Sequence, residues 1–252
     1  MTRAEKTPAV SHADHAVFAQ GLTRNFLKFV AVDHVDLAVK PKEIFGFLGA
    51  NGAGKTTTIR MLCGLLAPSG GEAWVDGLSV ATQSDQIKRR IGYMSQKFSL
   101  YNDLTIAENM EFYGGVYGLT PSEILQRTNE LVNKLGLTGY LKRLPSALPL
   151  GYKQRLALGC AVLHQPKILF LDEPTGGVDP VARRTFWDLI YELADSGTTV
   201  FVTTHYMDEA EYCGRVSIMD KGKIVALGSP DELKRQYTSA NMQAVFLKVV
   251  TP

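Results

Sequence analysis

A glycine-rich stretch at residues 49–57, GANGAGKTT, carries the clearest chemistry in this sequence. It fits the pattern G-x-x-x-x-G-K-[ST], in which backbone N–H groups surround phosphates, a lysine reaches the β- and γ-phosphates and a hydroxyl meets Mg²⁺. The pattern assigns phosphate contacts to Gly49, Ala50, Asn51, Gly52, Ala53, Gly54, Lys55, Thr56 and Thr57. The alternative is an ordinary glycine-rich turn with a solvated lysine.

The residues on either side of this loop decide between the two interpretations. A short apolar run at 44–48 precedes the loop, and apolar residues at roughly helical spacing follow it between 59 and 66. This order of strand, loop and helix is the one a phosphate-binding loop requires. We therefore expect a polyphosphate at the N-terminus of a helix beginning near Lys55, where unpaired N–H groups favour anions.

Two carboxylates follow a second apolar run, residues 168–171, which is typical of a strand buried on both faces. In P-loop NTPases, Mg²⁺ is held by the loop hydroxyl and by an acid at the end of a neighbouring strand, here Thr56 and Asp172. The adjacent Glu173 is placed to polarise a water for in-line attack on the γ-phosphate. A pair of solvated acids at a strand end is the alternative.

Two further polar residues end strands predicted at 91–95 and 198–203. Because carboxyl ends of parallel strands meet at one edge of a sheet, we expect His205 to hydrogen-bond the γ-phosphate. Gln96 is expected to bind both the metal and the attacking water. The candidate catalytic residues are thus Lys55, Gln96, Glu173 and His205, and the candidate metal ligands are Thr56, Gln96 and Asp172. A structural histidine is the alternative for His205.

Composition limits the classes of protein that fit. The 252 residues are 45% hydrophobic, enough for a full core, and 27 basic and 25 acidic residues leave a net charge of +2. Such a charge attracts nucleic acid only weakly, so no nucleic-acid partner is expected. Three dispersed cysteines without a C-x-x-C pair predict reduced thiols and a cytosolic location. No apolar run approaches membrane-spanning length, so any membrane role is expected to be peripheral.

The predicted elements form an α/β fold: a P-loop NTPase (RecA-like) core with an antiparallel β subdomain and an inserted helical subdomain. Strands are expected at 17–22, 32–39 and 72–75, and two capping boxes, Thr105 with Glu108 and Thr120 with Glu123, start helices. Residues 25–29 and 145–151 are expected to form loops, and a helix is expected at 153–163. The final stretch 242–250 fits a strand or a docking helix. The expected divisions are a loose tail at 1–16, a nucleotide-binding domain at 17–250 with its core at 17–96 and 156–238, a helical subdomain at 97–155 and a C-terminal segment at 239–252.

These motifs together resemble the nucleotide-binding subunit of an ATP-binding cassette (ABC) transporter over residues 17–250. GANGAGKTT is similar to that family's Walker A, Gln96 to its Q-loop, ILFLDE to its Walker B, residues 177–179 to its D-loop and His205 to its switch histidine. The phrases SLYNDLTIAEN, LDEPTGGVDP and TTHYMDEAE resemble the branch that serves exporters of the ABC-2 type, including drug-resistance exporters.

The resemblance implies an ATPase that uses ATP and Mg²⁺ and drives transmembrane permease subunits, which would place it in the cytoplasm, peripherally on the inner face of the cell membrane. It implies a head-to-tail dimer with a second nucleotide-binding subunit, closed by ATP and reopened by hydrolysis. Phe26 occupies the position of the adenine-stacking aromatic; core packing is the alternative. Expected permease-docking residues, with core packing again the alternative, are Phe98, Tyr101, Phe112 and Tyr113.

One motif departs from the family. LSGGQ is replaced by LPLGY at 148–152, and Pro149 lacks the serine hydroxyl that donates to the γ-phosphate on the opposite subunit. A lost hydrogen bond to a charged group costs roughly 1.5–3 kcal/mol. Proline suits a first helical turn, so the helix N-terminus is still expected to face phosphate. The residues expected to act in trans are Pro149, Leu150, Gly151, Tyr152 and Asp179.

Other functions remain open from the sequence. A non-transport ABC ATPase is one, although the interval between Lys55 and Asp172 contains no sustained heptads of the kind found in DNA-repair relatives. A weakly hydrolysing, nucleotide-dependent regulator is another, suggested by Pro149. A small-molecule kinase shares the P-loop but does not account for Gln96, Asp179 and His205 together.

Overall fold

The structure, a computed structural model, describes residues 12–250. The strands are β1 (Val17–Phe26), β2 (Phe29–Val39), β3 (Ile44–Leu48), β4 (Gly70–Val75), β5 (Leu78–Ser79), β6 (Ile91–Met94), β7 (Ile168–Asp172), β8 (Thr199–Thr204), β9 (Arg215–Asp220) and β10 (Lys223–Gly228). The α-helices are α1 (Lys55–Leu62), α2 (Ser84–Arg90), α3 (Ile106–Val116), α4 (Pro121–Lys134), α5 (Leu150–Val162), α6 (Pro180–Asp195), α7 (Pro230–Gln236) and α8 (Met242–Val250).

The larger sheet has the strand order β10-β9-β3-β8-β7-β6 in the described chain. Neighbouring strands from β9 to β6 run parallel, and β10 pairs antiparallel with β9. Every residue of β7 and β8 is buried, as expected for parallel strands covered on both faces. The apolar run at 168–171 is therefore a central strand, as predicted.

Successive residues of the central strands point into two different cores. Leu169 and Leu171 pack with buried residues of α5 and α6 on one face. Phe170 packs on the other face against Phe201, at 5.4 Å between ring centroids, together with residues of α1. The sheet is thus held between two helix-bearing layers, and its carboxyl edge lies where β3, β7 and β8 end.

A smaller antiparallel sheet, ordered β2-β1-β4-β5, shares the core of α1 and forms the expected β subdomain. Its β1–β2 hairpin corrects one prediction. Residues 25–29 were expected to form a loop, but Phe26 ends β1, Phe29 begins β2, and only Leu27 and Lys28 make the turn. Leu27 takes a left-handed φ of 53°, which closes so short a connection.

Helices α3 and α4 lie between β6 and α5, at the place expected for the helical insertion. Thr105 and Thr120 each accept a hydrogen bond from the backbone at the third helical position, so both predicted capping boxes are present. Helix α5 begins at Leu150, three residues before the start expected at Lys153. Pro149 is its N-cap rather than a first-turn residue, because its backbone is extended and its carbonyl accepts from Tyr152 N.

The last residue of the expected loose tail, Ala16, is joined to β2. Part of the expected loose tail, residues 1–11, lies outside the described residues, but Ala16 is buried and donates its N–H to Val39 O. The last described stretch forms helix α8 rather than a strand. Helix α2 was not anticipated, because its charged sequence buries only Ile87. Within residues 12–250, no helix has the length and apolar character needed to cross a membrane.

Candidate functional site

The glycine-rich loop joins β3 to α1 in the conformation that its glycines permit. Gly54 caps α1 with φ 110°, a region that favours glycine. A Cβ atom on Gly54 would lie 2.5 Å from Ala31 O, so no larger residue fits without displacing the backbone. The loop therefore brings the N-terminus of α1 to the carboxyl edge of the larger sheet, with its first N–H groups unpaired by the helix itself.

Lys55 lies at the start of α1 and folds back over the loop. Its Nζ donates to Gly49 O at 2.8 Å and to Ala50 O at 3.2 Å, and only 3% of the residue is exposed. The same Nζ lies 3.1 Å from Glu173 Oε1. The ammonium group is thus fixed between the loop and the end of β7, where it pairs with a carboxylate.

Asp172 ends β7 beside the loop hydroxyl. Its Oδ1 accepts hydrogen bonds from Thr203 Oγ1 at 2.7 Å and from Thr56 Oγ1 at 3.0 Å. Burial raises the pKa of Asp172, while the two hydroxyl bonds oppose that rise. Thr203 was missed by sequence reasoning; the available signal was a hydroxyl near the end of a β-rich strand parallel to β7.

Glu173 follows directly and is held in an unusual backbone conformation. Its φ is 50°, in the left-handed region that L-residues rarely adopt, and its N–H donates to Thr203 Oγ1 at 3.0 Å. Only 8% of Glu173 is exposed. The alternative of two solvated acids at a strand end is therefore wrong.

Gln96 and His205 converge on the same carboxylate. Gln96 Nε2 donates to Glu173 Oε2 at 3.1 Å, and His205 Nδ1 lies 3.0 Å from that oxygen. Together with Lys55, they place all four candidate catalytic residues in one contact network at the sheet edge. The end positions of β6, β7 and β8 predicted that these side chains meet at one edge of the sheet, and their contacts with Glu173 are an addition from the structure. The roles expected for them toward phosphate, metal and water stay predictions.

Phe26 lies at the tip of the β1–β2 hairpin and is 43% exposed. The Arg24 guanidinium lies 4.7 Å from the centre of its ring, and Arg24 Nη1 donates to Ala67 O at 2.7 Å. Arg24 is thereby tied to the segment that follows α1. The Phe26 ring is an accessible aromatic surface rather than part of the core.

The residues expected to act in trans lie at the starts of α5 and α6. Leu150 is 39% exposed, and Gln154 Nε2 donates to Gly176 O at 3.3 Å, which ties α5 to the segment after Glu173. Asp179 caps α6 by accepting from Val181 N and Ala182 N, and these bonds lower its pKa. Among the described residues, no hydrogen bond links Pro149, Leu150, Gly151, Tyr152 or Asp179 to residues 49–57.

The donors at the sheet edge fit a hard divalent cation with phosphate. Thr56 and Asp172 present a hydroxyl and a carboxylate oxygen in contact with each other, and Gln96, whose Nε2 contacts the adjacent Glu173, also carries an amide oxygen. Mg²⁺ typically takes one or two protein oxygens and fills its octahedron with waters and phosphate. The unpaired N–H groups of α1 and the Lys55 ammonium supply the complementary charge for the phosphates.

Comparison with known proteins agrees with this geometry. A family model described as "ABC transporter" matches residues 32–176. The chain is 48% identical over 239 residues to the probable multidrug ABC transporter ATP-binding protein YbhF of Escherichia coli (strain K12), covering 92% of this chain but only 41% of that protein. It is 37% identical over 216 residues to the linearmycin resistance ATP-binding protein LnrL of Bacillus subtilis (strain 168), covering 85% of this chain and 70% of that protein.

The fold has a solved counterpart. The dimeric ATP-binding cassette MJ0796, in a post-hydrolysis state bound to ADP and Pi, is 25% identical and superposes with a TM-score of 0.77 over 84% of this chain and 98% of that one. The cassette fold predicted from the sequence is confirmed. The family model spans more than half of this chain, and the alignment with LnrL, at 37% identity, covers 70% of that protein. This chain therefore belongs to the ABC transporter family, and it is similar to that family's ATP-binding proteins.

Proposed function

We propose that this chain binds Mg²⁺–ATP at the edge of its larger sheet and hydrolyses it to power a membrane transporter. The observation that carries the proposal is the Glu173 carboxylate, buried and contacted by Lys55, Gln96 and His205 beside the glycine-rich loop. A carboxylate fixed beside the γ-phosphate position is suited to act as a general base toward an attacking water.

Nucleotide binding would use the glycine-rich loop for the phosphates and the β1–β2 hairpin for the adenine. The backbone N–H groups of 49–57 and the Lys55 ammonium would surround the phosphates, and the exposed Phe26 ring would stack on the adenine. The Lys55 ammonium, which here lies 3.1 Å from Glu173 Oε1, would instead bind the γ-phosphate with part of its hydrogen-bonding capacity. Thr56, Asp172 and Gln96 would hold Mg²⁺, which when bound neutralises charge on the β- and γ-phosphates.

Hydrolysis would then depend on how Glu173 and His205 are oriented. Glu173 Oε2 would receive a proton from the attacking water, while His205 would donate a hydrogen bond to the γ-phosphate. The left-handed backbone of Glu173, held by Thr203, fixes where that carboxylate points. A fixed base removes much of the reorganisation that proton transfer otherwise requires.

A second copy or a related cassette would complete the site. The starts of α5 and α6 are exposed and carry Pro149, Leu150, Gly151, Tyr152 and Asp179, so they can face nucleotide bound to a partner. The dimeric, ADP- and Pi-bound state of the structurally similar cassette supports this arrangement. ATP would close the dimer and hydrolysis would reopen it.

The transporter partner would be a transmembrane permease, with this chain on the cytoplasmic face of the membrane. The names of the relatives, a probable multidrug transporter protein and a linearmycin resistance protein, favour export. A cavity of about 240 Å³ near Gln96, lined in part by Phe98 and Tyr113, is a suitable docking groove. Tyr101 and Phe112 form an exposed aromatic pair, 4.6 Å between ring centroids, and their rings lie 6.3 Å and 5.5 Å from the Tyr113 ring.

A weakly hydrolysing regulator is the second candidate, and Pro149 is the observation that favours it. The two functions separate in one experiment, in which ATP turnover and ATP affinity are measured for the wild type and Glu173→Gln. We expect turnover to fall by about 10²–10⁴-fold in Glu173→Gln, with little change in affinity. Glu192→Gln, an exposed carboxylate on α6, is the control. A wild type that binds ATP but turns over no faster than Glu173→Gln would reject the ATPase proposal.

A further inference from the structure

One buried carboxylate near the site has no part in the hydrolysis described above. Glu209 lies in the helical turn Met207–Tyr212, after β8 and His205, and it is 0% exposed. Its Oε1 accepts a hydrogen bond of 2.5 Å from Thr175 Oγ1. Thr175 is also buried, and it follows Glu173 by two residues. The Glu209 side chain therefore joins the segment after His205 to the segment after Glu173.

Arg183 adds a third segment to this cluster. Its Nε lies 3.6 Å from Glu209 Oε1, and its guanidinium lies 4.0 Å from the centre of the Tyr206 ring. The Tyr206 ring in turn lies 4.2 Å from the His205 ring. Arg183 belongs to the first turn of α6, whose N-cap is Asp179. One carboxylate thus contacts, directly or through one side chain, the segments that carry Glu173, His205 and Asp179.

The cluster is incompletely satisfied. Among the described residues, Glu209 Oε2 and Arg183 Nε have no hydrogen-bond partner although both atoms are buried. A buried ion pair recovers its desolvation cost only with close geometry and additional hydrogen bonds, so such a pair is a poor source of net stability. Stability alone therefore gives a weak account of a carboxylate at this position.

We propose that Glu209, through Thr175 and Arg183, positions Glu173 and His205 for hydrolysis and holds them in register with the Asp179 segment. The inference rests on the proposed ATPase function. Within residues 12–250, no hydrogen bond or ion pair joins the Glu209 side chain to residues 49–57 or to the Glu173 carboxylate, so Glu209 is a positioning residue. Its loss would displace groups that act on the γ-phosphate while leaving residues 49–57 in place.

The first test is a pair of variants at Thr175. Thr175→Val removes the hydroxyl with little change of shape, and Thr175→Ser retains it. We expect kcat to fall about tenfold or more in Thr175→Val, with the dissociation constant for Mg²⁺–ATP changed less than about twofold. Thr175→Ser should recover most of the wild-type kcat. A purely structural role would instead lower the melting temperature and leave kcat per folded molecule unchanged.

Glu209→Gln supplies a second route to the same result. Its amide oxygen can still accept from Thr175, but the buried charge facing Arg183 Nε is gone while Arg183 keeps its ion pair with the exposed Asp208. We expect kcat to fall again without a matching loss of affinity. Glu211→Gln is the control, since Glu211 lies on the same turn and pairs with Lys234 instead. In a His205→Ala background, Thr175→Val should lower kcat further by less than it does in the wild type, because the part of its effect that acts through His205 is already lost.

The outcomes separate this inference from the function on which it rests. A wild type without turnover would remove the ATPase proposal itself. Normal wild-type turnover, with kcat unchanged in folded Thr175→Val and folded Glu209→Gln, would overturn only the positioning role. Equal losses of affinity and kcat in both variants would also overturn it, because they would indicate damage to the nucleotide-binding loop.

Discussion

The P-loop edge of the larger sheet and the N-terminus of α5 are both expected to face phosphate, yet they are built differently. At the sheet edge, Lys55, Asp172 and Glu173 are buried, and each is held by at least two polar partners. At α5, Leu150 is 39% exposed and Pro149 makes no side-chain capping bond. One region is organised within a single chain, and the other presents an open helix end.

This difference follows from the task proposed for each region. Groups that stabilise charge during a reaction work best when held rigidly in a water-poor site. A surface that must separate from its partner in every cycle has to remain exposed in the open state. We infer that the sheet edge holds the catalytic groups in fixed positions. The α5 surface then controls how readily the complete site forms.

Of the two substitutions that test this comparison, Asp172→Asn should have the larger effect, and it would test how much folding stability is lost by holding a charged carboxylate at the sheet edge. The amide oxygen can keep both threonine bonds, but the metal-binding charge is lost, so turnover should fall by at least about 100-fold. Because burial raises the pKa of Asp172, the ionised group disfavours the folded state above that pKa, and stability rises as pH falls through it. The variant should therefore melt at a higher temperature than the wild type near pH 7 in EDTA.

Calorimetry at several pH values checks this prediction. The stabilising effect of Asp172→Asn should shrink toward acidic pH, where the wild-type carboxyl is protonated. Mg²⁺–ATP should raise the melting temperature of the wild type more than that of the variant. A variant that melts lower than the wild type at pH 7 would contradict the account of a destabilised carboxylate.

Pro149→Ser should have a smaller effect, in the opposite direction, and would sharpen the comparison at α5. The new hydroxyl can donate to the γ-phosphate of a partner or cap α5, and hydrogen bonds of these kinds contribute about 1–3 kcal/mol. We expect turnover at saturating ATP to rise a few-fold, up to about tenfold. Pro149→Ala restores the N–H without the hydroxyl and separates the two contributions. Reduced turnover in Pro149→Ser would mean that the proline is required by this surface.

Much of the sheet edge could be predicted from the sequence because each of its parts has a local signal. The glycine spacing indicates the loop, the apolar run at 168–171 indicates a two-sided strand, and strand ends place Gln96 and His205. The roles of Thr203 and Glu209 could not be predicted in this way. Their contacts depend on the register of β8 against β7 and on the position of the turn Met207–Tyr212 beside Thr175, which no short-range pattern encodes.

The start of α5 was predicted wrongly for a different reason, because its local sequence pattern fits more than one structure. Leu150 and Gly151 next to Pro149 resemble a loop by composition, so the helix was expected from Lys153. The extended backbone of Pro149 instead acts as the N-cap, and the helix includes both residues. A proline two residues before a glycine fits either a loop or a helix start. The helix start brings Gly151 close to α6, where an added Cβ would lie 3.2 Å from Ala182 Cβ.

The central claim is that a site organised in one chain is completed by the α5 surface of another. Its most direct test is the mass of Glu173→Gln by light scattering, with and without ATP and Mg²⁺. Slowed hydrolysis should trap the closed form, so we predict a monomer without nucleotide and a dimer with Mg²⁺–ATP. A variant that binds Mg²⁺–ATP yet remains a monomer at every protein concentration would contradict the claim that LPLGY at 148–152 completes the site between two copies of this chain.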